Sequence, residues 1–333
     1  MNIDGAALDA AAADRRLSGV VAIDIGDEHV FERCYGHAHR ALQVPITRAT
    51  RFALASGSKI MTALGVLRLI ENGDLGLTDP VRPILGDDLP LIDDGVTIEH
   101  LLGHTSGIGD YLDEEADWEA SDYILPVPVH TLADTEAFVP VVDGFAQVSS
   151  PGQRFSYNNG GYIVLAVIID RLSEAGYHAY VEQEVCARAG LTGAAFLRSD
   201  ELPADAALGY LFDDGNRTNL LHLPVRGNGD GGIYSSVDDL HTFWQAFLSA
   251  RIVGPELVET MITPRFEVPA EAMRYGLGCW LHASGPAVLI EGYDAGVSMR
   301  SIHDPATRTT ATVLANSSEG AWGVAGELLS LFD

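Results

Sequence analysis

The sequence predicts an α/β protein of the α+β type, in which an antiparallel sheet is formed by the two ends of the chain. Two apolar, strand-like segments, 19–26 and 29–35, are separated by a short glycine-containing turn and indicate an early hairpin. Strand signals return from Tyr275, and helical periodicity dominates the region between. We therefore expect N- and C-terminal strands to form one sheet flanked by helices, with a mainly helical subdomain inserted into it.

The first predicted helix lies close to the N-terminus. Residues 5–17 are alanine-rich, with acids near the start and arginines near the end, the arrangement that the helix dipole favours. From Ser56 apolar residues recur every three or four positions as far as Ile70, and Gly73 suits the end of that helix. Further helices are expected over 97–102, up to Leu172, over 177–189, from Val237 and over 321–332, and further strands over 275–281, 287–290, 297–302 and 309–315.

Length and composition suit one large domain. The chain has 333 residues, of which 47% are hydrophobic, enough to build a substantial core. We treat 1–333 as a single domain, with a sheet subdomain at about 1–55 and 265–333 and a helical subdomain at about 56–264. The oligomeric state is not readable from the sequence.

Charge and cysteine content limit the partners and the compartment. A net charge of −27 argues against nucleic acid and anionic membranes, because few basic side chains are available to neutralise phosphates. Three widely spaced cysteines indicate reduced thiols. The N-terminus carries acids and lacks the basic start and apolar run of a signal peptide, and the longest apolar run is too short to span a bilayer. We expect a cytoplasmic protein.

Lys59 is the only lysine of the chain, and every other member of the 20 basic residues is an arginine. Arginine keeps its charge at ordinary pH, whereas a lysine amine can give up its proton when its surroundings disfavour the charge. A chain that needed only positive charge could use arginine throughout. The position of Lys59 therefore indicates chemistry.

Ser56 lies three residues before Lys59, so the two side chains share one face of the predicted helix. At a helix N-terminus the backbone N–H of Ser56 has no intrahelical acceptor and can form half of an oxyanion hole. A neutral lysine can take the serine proton, and burial and the positive helix end both favour the neutral form. An incidental serine beside a surface lysine is the alternative, since the spacing alone is a weak motif.

Tyr157-Asn158-Asn159 lies between Pro151-Gly152 and an apolar helix. A tyrosine can carry a proton between the serine and a leaving group when a nearby ammonium favours its phenolate. The amide of Asn159 can bond to the lysine and to a substrate carbonyl. A turn with a buried tyrosine is the alternative for this segment taken by itself.

These segments resemble the serine β-lactamase and penicillin-binding-protein-like superfamily, closest to its class C and esterase branch. The similar phrases occur in the family's order from about residue 15 to the C-terminus: Ser56-Gly-Ser-Lys59, Gly73-Asp-Leu-Gly-Leu-Thr-Asp79-Pro80-Val81, Leu101-Leu-Gly-His104-Thr-Ser-Gly107, Pro151-Gly152, Tyr157-Asn-Asn159 and Gly231-Gly232-Ile-Tyr-Ser235-Ser236. The resemblance implies a β-lactamase/transpeptidase-like fold with the site between sheet and helices. It implies that Ser56 is the acylated nucleophile, Lys59 the base and Tyr157 the proton shuttle, and that Asn159 orients lysine and substrate.

A third family motif, Lys-Thr-Gly or His-x-Gly on a strand lining the site, matches Gly292-Tyr293-Asp294-Ala295-Gly296 in our reading. Tyr293 then stands where the family has a cation that helps to hold a substrate carboxylate, which favours an esterase-like or other amide substrate over a β-lactam. Arg300 or His303 is a candidate to supply the charge instead. We expect the backbone N–H near Gly296 to be the second oxyanion donor.

The sequence thus predicts a metal-free, cofactor-free serine hydrolase that cleaves an ester or amide, with β-lactams and D-amino-acid peptides among the candidates, through an acyl-enzyme on Ser56. The expected partner is a small-molecule or short-peptide substrate. The alternative is a catalytically weak or silent relative that binds a peptide or metabolite in the same cleft. His100 and His104 have helical metal-ligand spacing without a third ligand, so structural roles are favoured. The acidic run 109–123 is predicted to be a solvated loop, with a lid over the site as the alternative.

Overall fold

A computed structural model of the chain describes residues 3–112 and 124–333. Its main feature is an antiparallel sheet of eight strands in the order β2-β1-β12-β11-β10-β9-β8-β7. Its strands are β1 Gly19–Ile25, β2 Glu28–Tyr35, β7 Phe266–Val268, β8 Met273–Tyr275, β9 Trp280–His282, β10 Val288–Asp294, β11 Val297–Asp304 and β12 Thr309–Ala315. Two separate strand pairs are formed by β3 His37–His39 with β4 Val44–Pro45 and by β5 Phe52–Ala53 with β6 Tyr234–Ser235. The predicted fold class, a sheet built from both ends of the chain, is confirmed.

Helices cover both faces of this sheet. They are α1 Gly5–Asp14, α2 Lys59–Asn72, α3 Arg82–Leu85, α4 Ile98–Leu102, α5 Val139–Val142, α6 Asn159–Leu172, α7 Tyr177–Val181, α8 Val237–Leu248, α9 Pro255–Ile262 and α10 Trp322–Leu329. α7 continues into a π-helical turn, Glu182–Ala187.

The sheet is buried on both sides because it separates two apolar clusters. β1 pairs with β2 and β12, and β12 is buried along its whole length. One cluster lies between the sheet and helices α1 and α10, and the larger one joins the sheet to α2, α6 and α8. Strands that are buried on both faces lose the alternation of apolar and polar residues, which explains why β1 begins with an apolar run that shows no alternation.

The predicted strand 275–281 is wrong, because the chain turns back within it. Gly276 N–H donates to Cys279 O at 3.0 Å, and Gly278 has a φ of 84°, which a residue with a side chain rarely adopts. β8 therefore ends at Tyr275 and β9 begins at Trp280. The turn brings the rings of Tyr275 and Trp280 to 4.8 Å in an edge-to-face arrangement.

The helix expected from Ser56 begins instead at Lys59. Ala55–Ser58 form a 3-10 turn that follows β5 directly, and Ala55 has a φ of 44°. β5 is held by β6, with Phe52 opposite Ser235, and Leu54 N–H donates to Ile233 O. The turn therefore has one side fixed to the segment around Gly231-Gly232 and leads on its other side into α2.

No helix within the described ranges is long and apolar enough to cross a membrane.

Candidate active site

Ser56 and Lys59 meet at the turn between β5 and α2. Lys59 Nζ lies 2.8 Å from Ser56 Oγ, 2.8 Å from Asn159 Oδ1 and 2.8 Å from the main-chain oxygen of Asp230. The lysine is 2% exposed, so these three oxygens replace its water shell. One amine therefore contacts three parts of the chain that are far apart in sequence, near residues 56, 159 and 230.

Asn159 is held at the N-terminus of α6 by two caps. Asn158 Oδ1 accepts the Gly161 N–H at 2.6 Å, which is the N-cap bond of the helix. The carboxylate of Asp110 accepts the N–H groups of Asn159 at 2.6 Å and Gly160 at 2.8 Å. Burial raises the pKa of Asp110 to about 6, although these N–H bonds and the charge of Lys59 act in the opposite direction.

The place of Asp110 corrects the prediction for the acidic run 109–123. Its carboxylate is turned towards the helix N-terminus and is not part of a solvated loop. Residues 113–123, on which the lid alternative depends, lie outside the described residues. A polar residue that caps a helix distant in sequence leaves no local pattern, so sequence reasoning had no signal for it.

Tyr157 is packed between two rings. His104 lies 4.4 Å away on one side, and Trp280 is stacked 6.1 Å away with an interplanar angle of 10°. Lys59 Nζ lies 5.0 Å from the centre of the Tyr157 ring. The tyrosine is thus brought to the Ser56–Lys59 pair, as the sequence predicts.

His104 packs against Tyr157 and is held there by two hydrogen bonds. Its Nδ1 accepts the Asn158 N–H at 3.1 Å, and its Nε2 bonds to the Tyr275 hydroxyl at 3.1 Å. Burial, with the charge of Lys59 as a second cause, holds the pKa of His104 well below its ordinary value. A neutral ring that accepts at Nδ1 and donates at Nε2 satisfies both bonds.

Asp230 supplies a second acidic group beside the lysine. Its side chain accepts the Tyr111 hydroxyl while its main-chain oxygen accepts from Lys59. Burial raises the pKa of Asp230, and the charge of Lys59 opposes that change. This residue was missed from sequence, where it is one acid in a glycine-rich loop.

The prediction for Gly296 needs correction. Its N–H donates to Ser318 Oγ at 2.9 Å, at the turn that joins β10 to β11. The glycine that approaches the turn Ala55–Ser58, which we call the nucleophile turn after the predicted role of Ser56, is Gly292. A Cβ at Gly292 would lie 2.1 Å from Leu54 O and 3.0 Å from Gly57 N. Gly292, rather than a residue at the end of β10, therefore lets the strand lie against the turn that carries Ser56.

Tyr293 still lies at the site when the third motif is aligned on Gly292 instead of Gly296, since it lines the cleft together with Ser56. The triplet that ends at the close-approaching glycine is Ile290-Glu291-Gly292. Ile290 is 3% exposed and belongs to the core. The strand therefore carries no cation at the start of that triplet either.

Arg300 and His303 do not replace the missing cation. Arg300 is opposite Glu291 in the sheet and donates from Nε and Nη2 to its Oε2 at 2.9 and 2.6 Å. His303 bonds to Thr310 Oγ1 and stacks near Trp244 in the core. Neither side chain lines a cavity that contains Ser56.

Two cavities meet at Ser56. The first, which we call the leucine cavity, has a volume of about 80 Å³ and is bounded by Asn159 and by Leu112, Leu125, Leu197, Leu220 and Leu223. The second, the aromatic cavity, has a volume of about 460 Å³ and is bounded by Tyr157, Trp280, Tyr293, Trp322, Glu271 and Glu291. A substrate bound across Ser56 would therefore place one group on the Asn159 side and the other on the Tyr157 side.

The described residues contain no cluster of three or more histidines, cysteines, aspartates or glutamates arranged to hold a metal ion.

The fold is that of the serine β-lactamase and penicillin-binding-protein-like superfamily. A family model described as Beta-lactamase matches residues 6–329, and the chain belongs to that family. This agrees with the resemblance carried by Ser56-Gly-Ser-Lys59 and the phrases that follow it.

Similar proteins include penicillin-binding proteins and an esterase. Penicillin-binding protein 4* of Bacillus subtilis is 29% identical over 81% of this chain, which spans 61% of that protein's length. Esterase EstB of Burkholderia gladioli is 44% identical over 33% of this chain and 30% of its own. A crystal structure of a penicillin-binding protein from Bacillus halodurans has a TM-score of 0.89 and 35% identity, with 98% of this chain and 100% of that chain covered. The chain spans about three fifths of the length of the first of these relatives.

Asp110→Asn should remove a pH-dependent cost of folding. Burial raises the folded-state pKa of Asp110 above its ordinary value of 3.8 to about 6, so between these values the folded protein binds more protons than the unfolded chain. The stability contributed by this group is fully present below the unfolded pKa and is lost as pH rises through the folded one. In urea unfolding, the wild type should lose on the order of 1 to 2 kcal/mol relative to the variant between about pH 4 and pH 7.

The matched control is Asp27→Asn, whose side chain is 88% exposed. Its pH profile should run parallel to that of the wild type. A parallel profile for Asp110→Asn as well would contradict the raised pKa.

Gly292→Ala should damage the site more than it damages the fold. The added methyl group meets main-chain atoms of Leu54 and Gly57, so β10 and the nucleophile turn must separate. We expect kcat/KM for an ester to fall by about 100-fold or more, because small displacements of catalytic groups have such effects, and stability to fall by about 1 to 3 kcal/mol. Steady-state kinetics and thermal unfolding measure the two effects.

Gly326→Ala is the control for this substitution, because no atom lies within 4 Å of its added methyl group. It should keep wild-type activity. A kcat/KM for Gly292→Ala within about threefold of the wild-type value would show that the site does not need a glycine at this position.

Proposed function

We propose that this protein hydrolyses an ester or amide through a covalent acyl-enzyme on Ser56, with Lys59 as the base. The observation that carries the proposal is the 2.8 Å contact between Lys59 Nζ and Ser56 Oγ, made by the single lysine of the chain. In the neutral form this amine accepts the hydroxyl proton as Oγ attacks the carbonyl carbon. The other two contacts of Nζ, to Asn159 and to the Asp230 main chain, stabilise the ammonium that results.

The oxyanion of the tetrahedral intermediate is proposed to accept two main-chain N–H groups. One belongs to Ser56, which lies in the first turn of its helix. The other belongs to Tyr293. Asp294 and Val297 close the two-residue hairpin between β10 and β11, so the next pair, Tyr293 and Ser298, is of the type without hydrogen bonds between the strands. The N–H of Tyr293 is therefore directed away from β11. It faces the edge of β10 along which Gly292 meets the nucleophile turn.

The two cavities are proposed to hold the two halves of the substrate. The leaving group needs a proton as its bond to the carbonyl carbon breaks, and Tyr157 is the proposed donor. The leaving group therefore belongs in the aromatic cavity, which Tyr157 lines, and the acyl group in the leucine cavity beside Asn159. Water then attacks the acyl-enzyme, the acid is released, and Ser56 regains its proton.

Esters and uncharged amides fit this cleft better than β-lactams. The carboxylate of a β-lactam needs a positive partner, and the charged side chains that line the aromatic cavity in the described part of the chain are Glu271 and Glu291. The substrate is proposed to be a small molecule or short peptide. A silent, binding-only role gains no support from a site in which Ser56 and Lys59 are in contact.

Ser56→Ala is expected to abolish both turnover of a p-nitrophenyl ester and covalent labelling. Wild-type protein incubated with the ester should gain the mass of the acyl group on the peptide that contains Ser56, as measured by mass spectrometry. Ser58→Ala is the matched control, because the Oγ of this neighbouring serine accepts the Ile233 N–H at 3.0 Å. The control variant should still be labelled on Ser56. Labelling that persists in Ser56→Ala at the wild-type level would exclude Ser56 as the nucleophile.

Lys59→Arg is expected to be as inactive as Lys59→Ala. Arginine keeps a positive charge at the site but does not accept a proton, and loss of a general base costs roughly 100-fold to 10,000-fold in rate. Rates for both variants with the same ester measure this loss. An arginine variant with near wild-type kcat would show that charge alone is required at position 59.

A further inference from the structure

The aromatic cavity has the chemistry of a site for a positively charged group. Its walls are rings on two sides: Tyr157 is stacked parallel to Trp280, and Tyr293 lies 6.2 Å from Trp322. The face of an aromatic ring carries negative potential and attracts a cation, most strongly at tryptophan. The Trp322 ring already has a cation near it, since the Arg300 guanidinium lies 5.8 Å from the centre of that ring.

The charged side chains at this cavity are acidic. Glu271 lies at the tip of the hairpin between β7 and β8, and Glu291 lies on β10. No lysine, arginine or histidine of the described residues lines the aromatic cavity. Arg300, the cation beside Trp322, has its Nε and Nη2 on Glu291 and its Nη1 on the Ala325 main-chain oxygen, and its side chain is 14% exposed.

A carboxylate in this cavity would therefore lose its water shell and face Glu271 without a cation to bind. An ammonium group would instead lie beside the rings of Tyr293 and Trp322, near a carboxylate. A quaternary ammonium loses little on leaving water and has no N–H groups to satisfy, so it suits a cavity with aromatic walls.

We propose that the aromatic cavity selects substrates whose leaving group carries an alkylammonium, and that it discriminates against leaving groups that carry a carboxylate. The inference rests on the proposed acyl transfer at Ser56. In the reaction the bond between the acyl carbon and the ester oxygen breaks, the acyl group passes to Ser56 Oγ, and the ester oxygen takes a proton by way of Tyr157. The ammonium leaves unchanged as part of the free alcohol.

Three butyryl esters with a common acyl group test this selection. The choline ester is cationic, the neohexyl ester replaces its quaternary nitrogen by carbon, and the carboxyethyl ester is anionic. We expect kcat/KM for the choline ester to exceed that for the neohexyl ester by about tenfold, and the carboxyethyl ester to fall about tenfold below the neohexyl ester. Equal values for the choline and neohexyl esters, or a preference for the anionic ester, would overturn the proposal.

Substitutions then locate the selection within the cleft. Glu271→Gln and Trp322→Leu should each reduce the ratio of kcat/KM between choline and neohexyl esters by about threefold or more. Using the ratio removes any general loss of activity, since both esters share the acyl step. Glu267→Gln is the matched control: it removes the same charge on the neighbouring strand β7 without lining the cavity, and it should keep the ratio.

A choline preference that survives both cavity substitutions would show that the selection arises elsewhere. Failure of this inference is distinguishable from failure of the proposed function. If the neohexyl ester is cleaved and Ser56 is acylated, but charge has no effect, the acyl-transfer function stands and the ammonium selection falls. If none of the three esters is cleaved and no acyl donor labels Ser56, the underlying function falls, and the selection falls with it.

Discussion

The arrangement of the cleft depends on one buried amine. Lys59 Nζ has three oxygen neighbours at 2.8 Å, one each from the nucleophile turn, the start of α6 and the loop before β6. A buried ammonium without such partners would be costly, so the three segments must be held together for the lysine to be accommodated. The same contacts that satisfy the amine also bring Ser56 and Asn159 to its sides. The hydrogen bonds that satisfy the buried amine are therefore also the ones that set the geometry proposed for catalysis.

Each of the three segments is positioned by a different device. Pairing of β5 with β6 fixes the turn that contains Ser56, and close approach of Gly292 supports that turn from the sheet. Asp110 fixes the start of α6 by accepting its first N–H groups. Its raised pKa means that burial disfavours the ionised form, so the buried carboxylate lowers stability at neutral pH even though its bonds to the N–H groups of α6 act in the opposite direction. Functional sites commonly contain such groups.

Much of the fold and the contact between Ser56 and Lys59 follow from the sequence, because their signals are local. The lone Lys59, three residues after Ser56, needs only helical spacing to place both side chains on one face. Contacts between distant segments leave no such pattern: Asp110 is one acid of a run, and nothing local distinguishes Gly292 from Gly296. What separates these glycines is the segment that each approaches, since a Cβ at Gly292 would lie 2.1 Å from Leu54 O and one at Gly296 would lie 2.8 Å from Tyr210 N. The strand expected over 275–281 fails for a related reason, because alternation does not reveal that Gly278 has a positive φ.

In the proposed mechanism, the charges around Lys59 favour the direction of proton transfer that acylation of Ser56 needs. When Lys59 takes the proton of Ser56, positive charge appears beside Asp110 and Asp230, and the attraction is mutual, because the lysine charge lowers the pKa of each carboxyl group. His104, stacked on Tyr157, is kept neutral by burial and by the same lysine charge, so it adds no repulsion. Arginine at position 59 would be compatible with this acidic surrounding but would arrive already charged. In the proposed mechanism the residue at position 59 accepts a proton during the reaction, a role that lysine can fill and arginine cannot, and this proposal accounts for the one lysine in a chain that otherwise uses arginine.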